Sequence, residues 1–226
     1  MSRTTDSKEE VTHVYRERSS RYDFTVNLFN LFASFGFNIP AWRRQSIRAL
    51  GLKRGDTVVD VGCGTGLNFS LLQDAIGPEG KIVGVDLSDA MLDQARRRAD
   101  ENDWQNVELV CADAAQFEFP VNLGGVLSTF ALVLVPECGQ VVSNACHALA
   151  PGRCFSVLDM AWPMGWPLWW RHVLFFLRSY GVTGEVLGRR PWETVWKTMD
   201  ECLVDVTREK LWMGFFYLAT GARGTK

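Results

Sequence analysis

Two kinds of hydrophobic pattern alternate through the middle of the chain. Short, nearly continuous apolar runs predict strands buried on both faces of a parallel sheet. These are "DTVVDVG" (56–62), "KIVGVD" (81–86), "VELVCAD" (107–113), "GVLSTFAL" (125–132) and "CFSVLDM" (154–160). Between them, "NFSLLQDAIG" predicts a helix closed by Gly77-Pro78, and "QVVSNACHALAPG" (140–152) one ended by Pro151-Gly152. "DAMLDQARRRADEN" predicts a third helix, capped by Ser88, with acids early and arginines late to suit the helix dipole. Near the C-terminus, "LVDVTREKLWMGFFYLATGAR" reads as two strands and a turn. Strands alternating with helices define an α/β fold: a doubly wound, seven-stranded, mostly parallel sheet with a C-terminal antiparallel hairpin.

The two remaining segments have a different pattern. In "YDFTVNLFNLFASF", Asp23, Asn27, Asn30 and Ser34 make one narrow polar stripe on an otherwise apolar helix. The stretch "WPMGWPLWWRHVLFF" (162–176) places four tryptophans in nine positions, and in "LWWRHVLFFLRSY" Arg171 and Arg178 share a face. Helices this apolar must be buried on two sides or rest on lipid. Nothing approaches the roughly 18 uninterrupted apolar residues of a membrane-spanning helix. The expected organisation is a helical cap over 1–50, a cofactor-binding core over 51–160, a Trp-rich acceptor-recognition insertion over 161–200, and closing strands over 201–226.

Charge and cysteines narrow the classes. The net charge of −2 hides a segregation: residues 1–54 carry 10 Lys/Arg and 5 Asp/Glu, residues 55–159 carry 5 and 15, and residues 160–226 carry 9 and 6. An acidic centre between basic, aromatic-rich ends argues against a nucleic-acid binder with one basic stripe. It suits two flanks that meet an anionic surface, although solvated faces produce the same asymmetry. The six cysteines lack CxxC or Cys/His metal spacing, so no metal site is expected and the thiols are read as reduced. Cys111 and Cys154 fall in strands expected to be buried, as small hydrophobes. The polar "MSRTTDSKEE" start predicts no secretory leader. The expected location is the cytoplasm, free or resting on the inner face of the membrane.

"VVDVGCGTG" (58–66) runs strand, Gly-rich turn, helix, and its glycines let a ligand lie against the backbone. Asp86 ends the second strand 20 residues past Gly66, where an acid can take both hydroxyls of a ribose. A dinucleotide fingerprint would need glycine at 67, where the chain has Leu67. From about residue 50 to 160 the chain resembles a class I S-adenosylmethionine-dependent methyltransferase, with its Rossmann-like fold. The matching blocks are "VVDVGCGTG", "GVDLSDAMLDQA", "ELVCADAAQFEFP", "STFALVLVPE" and "LAPGRCFSVLD". The resemblance implies S-adenosylmethionine as cofactor. It gives its methionine end to Asp60, Gly62, Cys63, Gly64 and Gly66, its ribose to Asp86 and its adenine face to Leu87. Asp113 would accept from the adenine amino group, Ala114 would offer its backbone N–H, and Ser128 and Thr129 would lie near the donor amino group and sulfonium.

With "VYRERSSRYDFTVNLF" (14–29), the chain is similar to bacterial lipid N-methyltransferases and, more broadly, to methyltransferases of ubiquinone and menaquinone biosynthesis. In those subfamilies an N-terminal tyrosine covers the cofactor. Tyr15 and Tyr22, seven residues apart on one helix face, are therefore candidate catalytic residues, although a packing role fits them equally. His172, bordering the Trp-rich stretch, is the third, against a structural alternative; His13 and His147 are read as structural. No Asp/Asn-Pro-Pro-Tyr motif follows the fourth strand, and "STFALVLVPE" is apolar there. This favours a greasy or compact acceptor over a nucleobase. With the Trp-rich stretch, the basic flanks and the "YRERSSRYDFT" resemblance, the leading reading is a lipid-like acceptor, a headgroup amine at the membrane surface. The alternative is a small soluble thiol, sulfide or metabolite in a closed aromatic pocket.

Overall fold

In a computed structural model, residues 38–163, 186 and 188–225 are described. Each predicted apolar run in the core is a strand: β1 (Thr57–Val61), β2 (Lys81–Asp86), β3 (Val107–Cys111), β4 (Leu123–Thr129) and β5 (Leu149–Met160). After them come β6 (Val204–Leu211) and β7 (Phe216–Ala222). They form one seven-stranded sheet in the order β3-β2-β1-β4-β5-β7-β6. The first five are parallel; β7 runs antiparallel to both β5 and β6. The expected α/β fold with a C-terminal antiparallel hairpin is the one observed.

The helices are α1 (Ile39–Ala49), α2 (Phe69–Ile76), α3 (Asp89–Glu101), α4 (Cys138–Ala148) and α5 (Pro191–Cys202). Alternation along the strands divides the core. Val58, Ile82 and Leu127 pack with Phe69, Leu72 and Ile76 of α2, Leu92 and Ala95 of α3, and Ile47 of α1. Their neighbours Val59, Val83 and Val126 point to the opposite face, against Val141, Val142 and Ala145 of α4 and Trp192, Val195 and Met199 of α5. Full burial of each such aliphatic side chain contributes roughly 1.5–3 kcal/mol. The helix α5 thus supplies core side chains from within the last part of the 161–200 stretch. The start of α1 covers the hairpin end of the sheet, with Ile39 and Trp42 against Leu211, Phe216 and Leu218.

Some boundaries differ from expectation. The helix expected over 140–152 stops at Ala148, and Pro151-Gly152 lies inside β5, where the Gly152 N–H donates to the Arg223 carbonyl at 2.8 Å. The strand expected over 125–132 begins at Leu123 and ends at Thr129; Phe130 turns at φ 59° and a 3-10 turn follows over Leu132–Leu134. Cys111 is exposed because β3 is the outer strand of the sheet and pairs only with β2; Cys154, on the inner strand β5, is half-buried. Among the described residues no helix is long and apolar enough to cross a membrane.

Candidate active site

The carboxyl ends of β3, β2, β1 and β4 open onto one cleft that is continuous with solvent. This is where open parallel sheets bind ligands. The turn after β1 makes its floor. Gly62 sits at φ +67°, and a Cβ there would lie 2.2 Å from the Ala131 Cβ. The Gly62 and Cys63 N–H groups both donate to the Val85 carbonyl, at 2.8 and 3.0 Å, so the turn is stitched to the end of β2. At Gly64 (φ +55°) a Cβ would meet nothing within 4 Å of protein, so that side of the turn faces space a ligand can fill. Gly66 closes the turn on the Phe69 ring, 2.7 Å from where its Cβ would stand.

Asp86, at the tip of β2, accepts from the Gly64 N–H and the Ser88 N–H, each at 2.9 Å. These bonds fix its carboxylate at the cleft wall, while burial raises its pKa above the usual carboxylate value. Leu87 beside it remains 39% exposed, an apolar platform for a flat ring. Asp113 and Ala114, after β3, line the same end, and Asp113 is held by the Ala115 N–H at 3.0 Å. Gly62, Cys63, Gly64 and Thr129 complete the expected set that lines the cleft. Burial, reinforced by the charges of Asp86 and Asp60, pushes the Cys63 thiol well above its ordinary pKa.

The other expected residues are placed differently. Gly66 shapes the turn without lining the cleft. Ser128 is fully buried, and its hydroxyl pairs with the Val61 carbonyl at 3.1 Å, bracing β4 to β1. Asp60 lies fully buried behind the Gly-rich turn, both oxygens accepting from Asn68 Nδ2 at 3.1 and 3.0 Å. Burial raises its pKa to about 7, opposed by the Asn68 hydrogen bond and the Arg43 charge. Tyr15, Tyr22 and His172 lie outside the described residues. Among the described residues no His/Cys/Asp/Glu group is suited to hold a metal ion.

The sequence reading overlooked Arg43, Asn68 and the apolar wall. Arg43 is 8% exposed and lines the cleft. Its Nη1 donates to Asn68 Oδ1 and to Thr129 Oγ1, each at 2.7 Å, and its guanidinium lies 5.2 Å from the Phe130 ring centre. A signal for it was present: Ile39, Trp42, Arg43, Ser46 and Ile47 form one helical face, and an arginine on that stripe must meet a buried polar partner. Beyond Thr129, the wall is Phe130, Ala131, Leu134, Val135 and Pro136, with no charged side chain.

A Gly-rich turn that a Cβ would obstruct, an acid at the tip of the second strand and a carboxylate past the third make a cradle that fits S-adenosylmethionine. Fold and cleft together define a class I S-adenosylmethionine-dependent methyltransferase. Comparison with known proteins then places the chain within that class. It belongs to the ubiE/COQ5 methyltransferase family, whose model matches residues 2–193. A demethylmenaquinone methyltransferase of Listeria welshimeri is 33% identical over 189 residues, covering 78% of each chain. Another, from Geobacillus stearothermophilus, is 29% identical over 192 residues, covering 84% of this chain and 80% of that one. Among solved structures, geranyl diphosphate C-methyltransferase from Streptomyces coelicolor, which holds S-adenosyl-L-homocysteine, superposes with a TM-score of 0.67 at 18% identity. It covers 81% of this chain and 78% of that one. An S-adenosylmethionine-dependent methyltransferase from Aquifex aeolicus gives 0.57 at 18% identity over 79% and 88%. The chain is a methyltransferase, and S-adenosylmethionine is its cofactor.

Proposed function

We propose that the chain methylates a ring carbon of a reduced, demethylmenaquinone-like quinone, an apolar acceptor. The observation that carries this reading is the 33% identity, over 78% of the chain, to a demethylmenaquinone methyltransferase. The uncharged wall from Phe130 to Pro136 supports it, because a flat, largely apolar ring asks for no ion pair there. The headgroup amine favoured by the sequence alone, and the small thiol kept as its alternative, give way to the acceptor for which the relatives are named.

The bound cofactor supplies a methyl group already activated on a sulfonium. The chain's share is alignment and the exclusion of water. In our assignment Asp86 accepts from the ribose hydroxyls and Leu87 lies on the adenine face. Asp113 and the Ala114 N–H read the adenine edge. Gly62, Cys63 and Gly64 lie against the methionine end, beside Thr129, with Asp60 and Gly66 setting the turn from behind and Ser128 bracing the two strands. Tyr15, Tyr22 and His172 stay candidates, from the family resemblance, for covering the reacting atoms. The wall from Phe130 to Pro136 holds the ring in line for transfer. In that transfer the carbon–sulfur bond breaks with its electron pair left on sulfur, a carbon–carbon bond forms, and the proton displaced from the ring carbon is released to solvent.

The test gives the protein methyl-labelled cofactor with three acceptors separately: a demethylated menaquinol kept reduced, aminophospholipid vesicles, and a panel of small thiols. Label is expected in the quinol, and only with the reductant present. Label in the phospholipid or thiol fraction, with none in the quinol, overturns the acceptor assignment.

A further inference from the structure

The Gly-rich turn is held from outside by a single strand–helix unit. Asp86 ends β2, and Ser88 caps α3 by accepting from the Met91 N–H at 3.4 Å. Asp86 accepts from the Ser88 N–H and from the Gly64 N–H, so strand end, helix start and turn meet at one carboxylate. Further along α3, Arg98 reaches back to the same turn. Its Nη1 donates to the Thr65 carbonyl and lies 3.5 Å from Thr65 Oγ1.

Arg98 is set apart from its neighbours in the run Arg96–Arg98. Arg96 pairs in solvent with Asp93 at 2.8 Å, and Arg97 is exposed. Arg98 falls beside the buried Ala95 and Ala99, at the edge of the apolar face of α3. A guanidinium there needs an acceptor to offset the water it loses. A cation is also unfavourable near a helix N-terminus, yet this one is directed at Thr65, three residues before the Asn68 N-cap of α2. The carbonyl it meets offsets that placement. Thr65 is 1% exposed, lines the cleft, and stands between Gly64 and Gly66, both left-handed. Two flanking glycines leave such a peptide free to swing, so an outside anchor decides where its groups point.

The turn is thus gripped by opposite charges carried on one scaffold. The Asp86 carboxylate takes the Gly64 N–H, and the Arg98 guanidinium gives to the Thr65 carbonyl. The first of these grips is shared with the cofactor, because Asp86 is assigned to the ribose. Arg98 stands outside the cleft lining, so its hold on the turn does not depend on a ligand.

We propose that Arg98 is a positioning residue for the cofactor: through the Thr65 carbonyl it keeps the Gly-rich turn in the shape that receives S-adenosylmethionine. The proposal rests on the cofactor placement given above. Without the guanidinium the turn samples other shapes, and the cofactor binds only the competent fraction. A competent fraction of about one tenth weakens the apparent affinity about tenfold.

The test pairs calorimetry with S-adenosylhomocysteine, on the full chain, with amide hydrogen exchange of the ligand-free protein. Arg98→Met keeps the aliphatic stem and removes the donors. It is expected to bind about tenfold more weakly. Exchange should quicken at residues 62–66, while peptides from β1, β4 and β5 keep their wild-type rates. Arg98→Lys, with one charged donor, should restore most of both, and Arg96→Ala, on the same helix, should change neither. If Arg98→Met does not fold, Arg98→Gln replaces it, with a loss of about threefold because one neutral donor remains. Wild-type affinity in the substituted protein overturns the proposal. So does exchange that quickens in parallel across the whole sheet, the mark of a merely structural role. A wild-type chain that fails to bind S-adenosylhomocysteine overturns the cofactor placement itself, and the proposal with it.

Discussion

Two buried carboxyls, Asp60 and Asp159, sit at about 7, well above the ordinary value of 3.8, because burial strips water from their charged forms. Asp159 stays bound to the backbone: its oxygens accept from Val133 N–H at 2.9 Å and Met160 N–H at 2.8 Å. It thereby ties the end of β5 to the 3-10 turn that carries the apolar wall of the cleft. Tyr217 faces it across the β5–β7 pair. The consequence for stability has a definite sign. Unfolded, each group releases its proton near 3.8; folded, it holds the proton up to about 7. Between those values the folded chain binds more protons, so stability falls as pH rises from about 4 to about 7 and then levels. Urea melts at pH 5.5 and pH 8 should differ by on the order of 1–3 kcal/mol per group. Asp159→Asn, which cannot ionise, should lose its part of that difference, so the variant's stability falls less than the wild type's between pH 5.5 and pH 8. An unchanged difference in the variant would rule out Asp159 as a contributor.

At the level of elements, the Gly-rich turn divides its glycines by task, and substitutions should separate them. Gly62→Ala meets both a left-handed backbone and a methyl 2.2 Å from Ala131, so its expected cost is about 3 kcal/mol. Gly64→Ala carries the backbone strain alone, about 1–2 kcal/mol, and puts its methyl into ligand space. Chemical denaturation should rank Gly62→Ala well below Gly64→Ala in stability; equal losses would mean that the contact with Ala131 relaxes freely. This turn was legible in the sequence because strand, glycines and helix are contiguous. So were the parallel strands, whose two-sided burial leaves continuous apolar runs. The exposed Cys111 was not legible: an outer strand has the same local composition as an inner one, and only pairing distinguishes them. Ser128 and Thr129 were assigned together, yet successive strand residues point opposite ways, and only Thr129 reaches the cleft. Arg43 joins Asn68 and Thr129 across 25 and 86 residues, a meeting that only the fold creates.

On the scale of the whole molecule, our assignment gives the cofactor and the acceptor to different parts of the chain. The expected cofactor groups all lie within residues 60–129 and hang from the strand ends of the sheet. The wall we assign to the acceptor runs, among the described residues, from Phe130 to Pro136. The two segments that the sequence marks for acceptor contact, over 22–35 and through the Trp-rich 162–176, fall almost wholly outside the described residues; Trp162 and Pro163 are the exceptions. Trp162 packs edge-on against Phe215, at 5.9 Å between ring centres, in the aromatic layer that also holds Trp42, Phe130 and Phe216. Trp162, the first tryptophan of the stretch, thus shares an aromatic layer with Phe130, the first residue of that wall. If it reads the acceptor, Trp169→Ala with Trp170→Ala should raise the acceptor KM by about 10- to 100-fold, the range for losing large aromatic contacts. The affinity for S-adenosylhomocysteine should stay within about twofold, because Asp86, Asp113 and the Gly-rich turn are untouched. The deciding measurement pairs acceptor kinetics with cofactor binding and a thermal melt on the same double variant. Joint loss of cofactor binding and folding would assign these tryptophans to the core, and the apolar acceptor would then have to be read by the N-terminal segment and the wall alone.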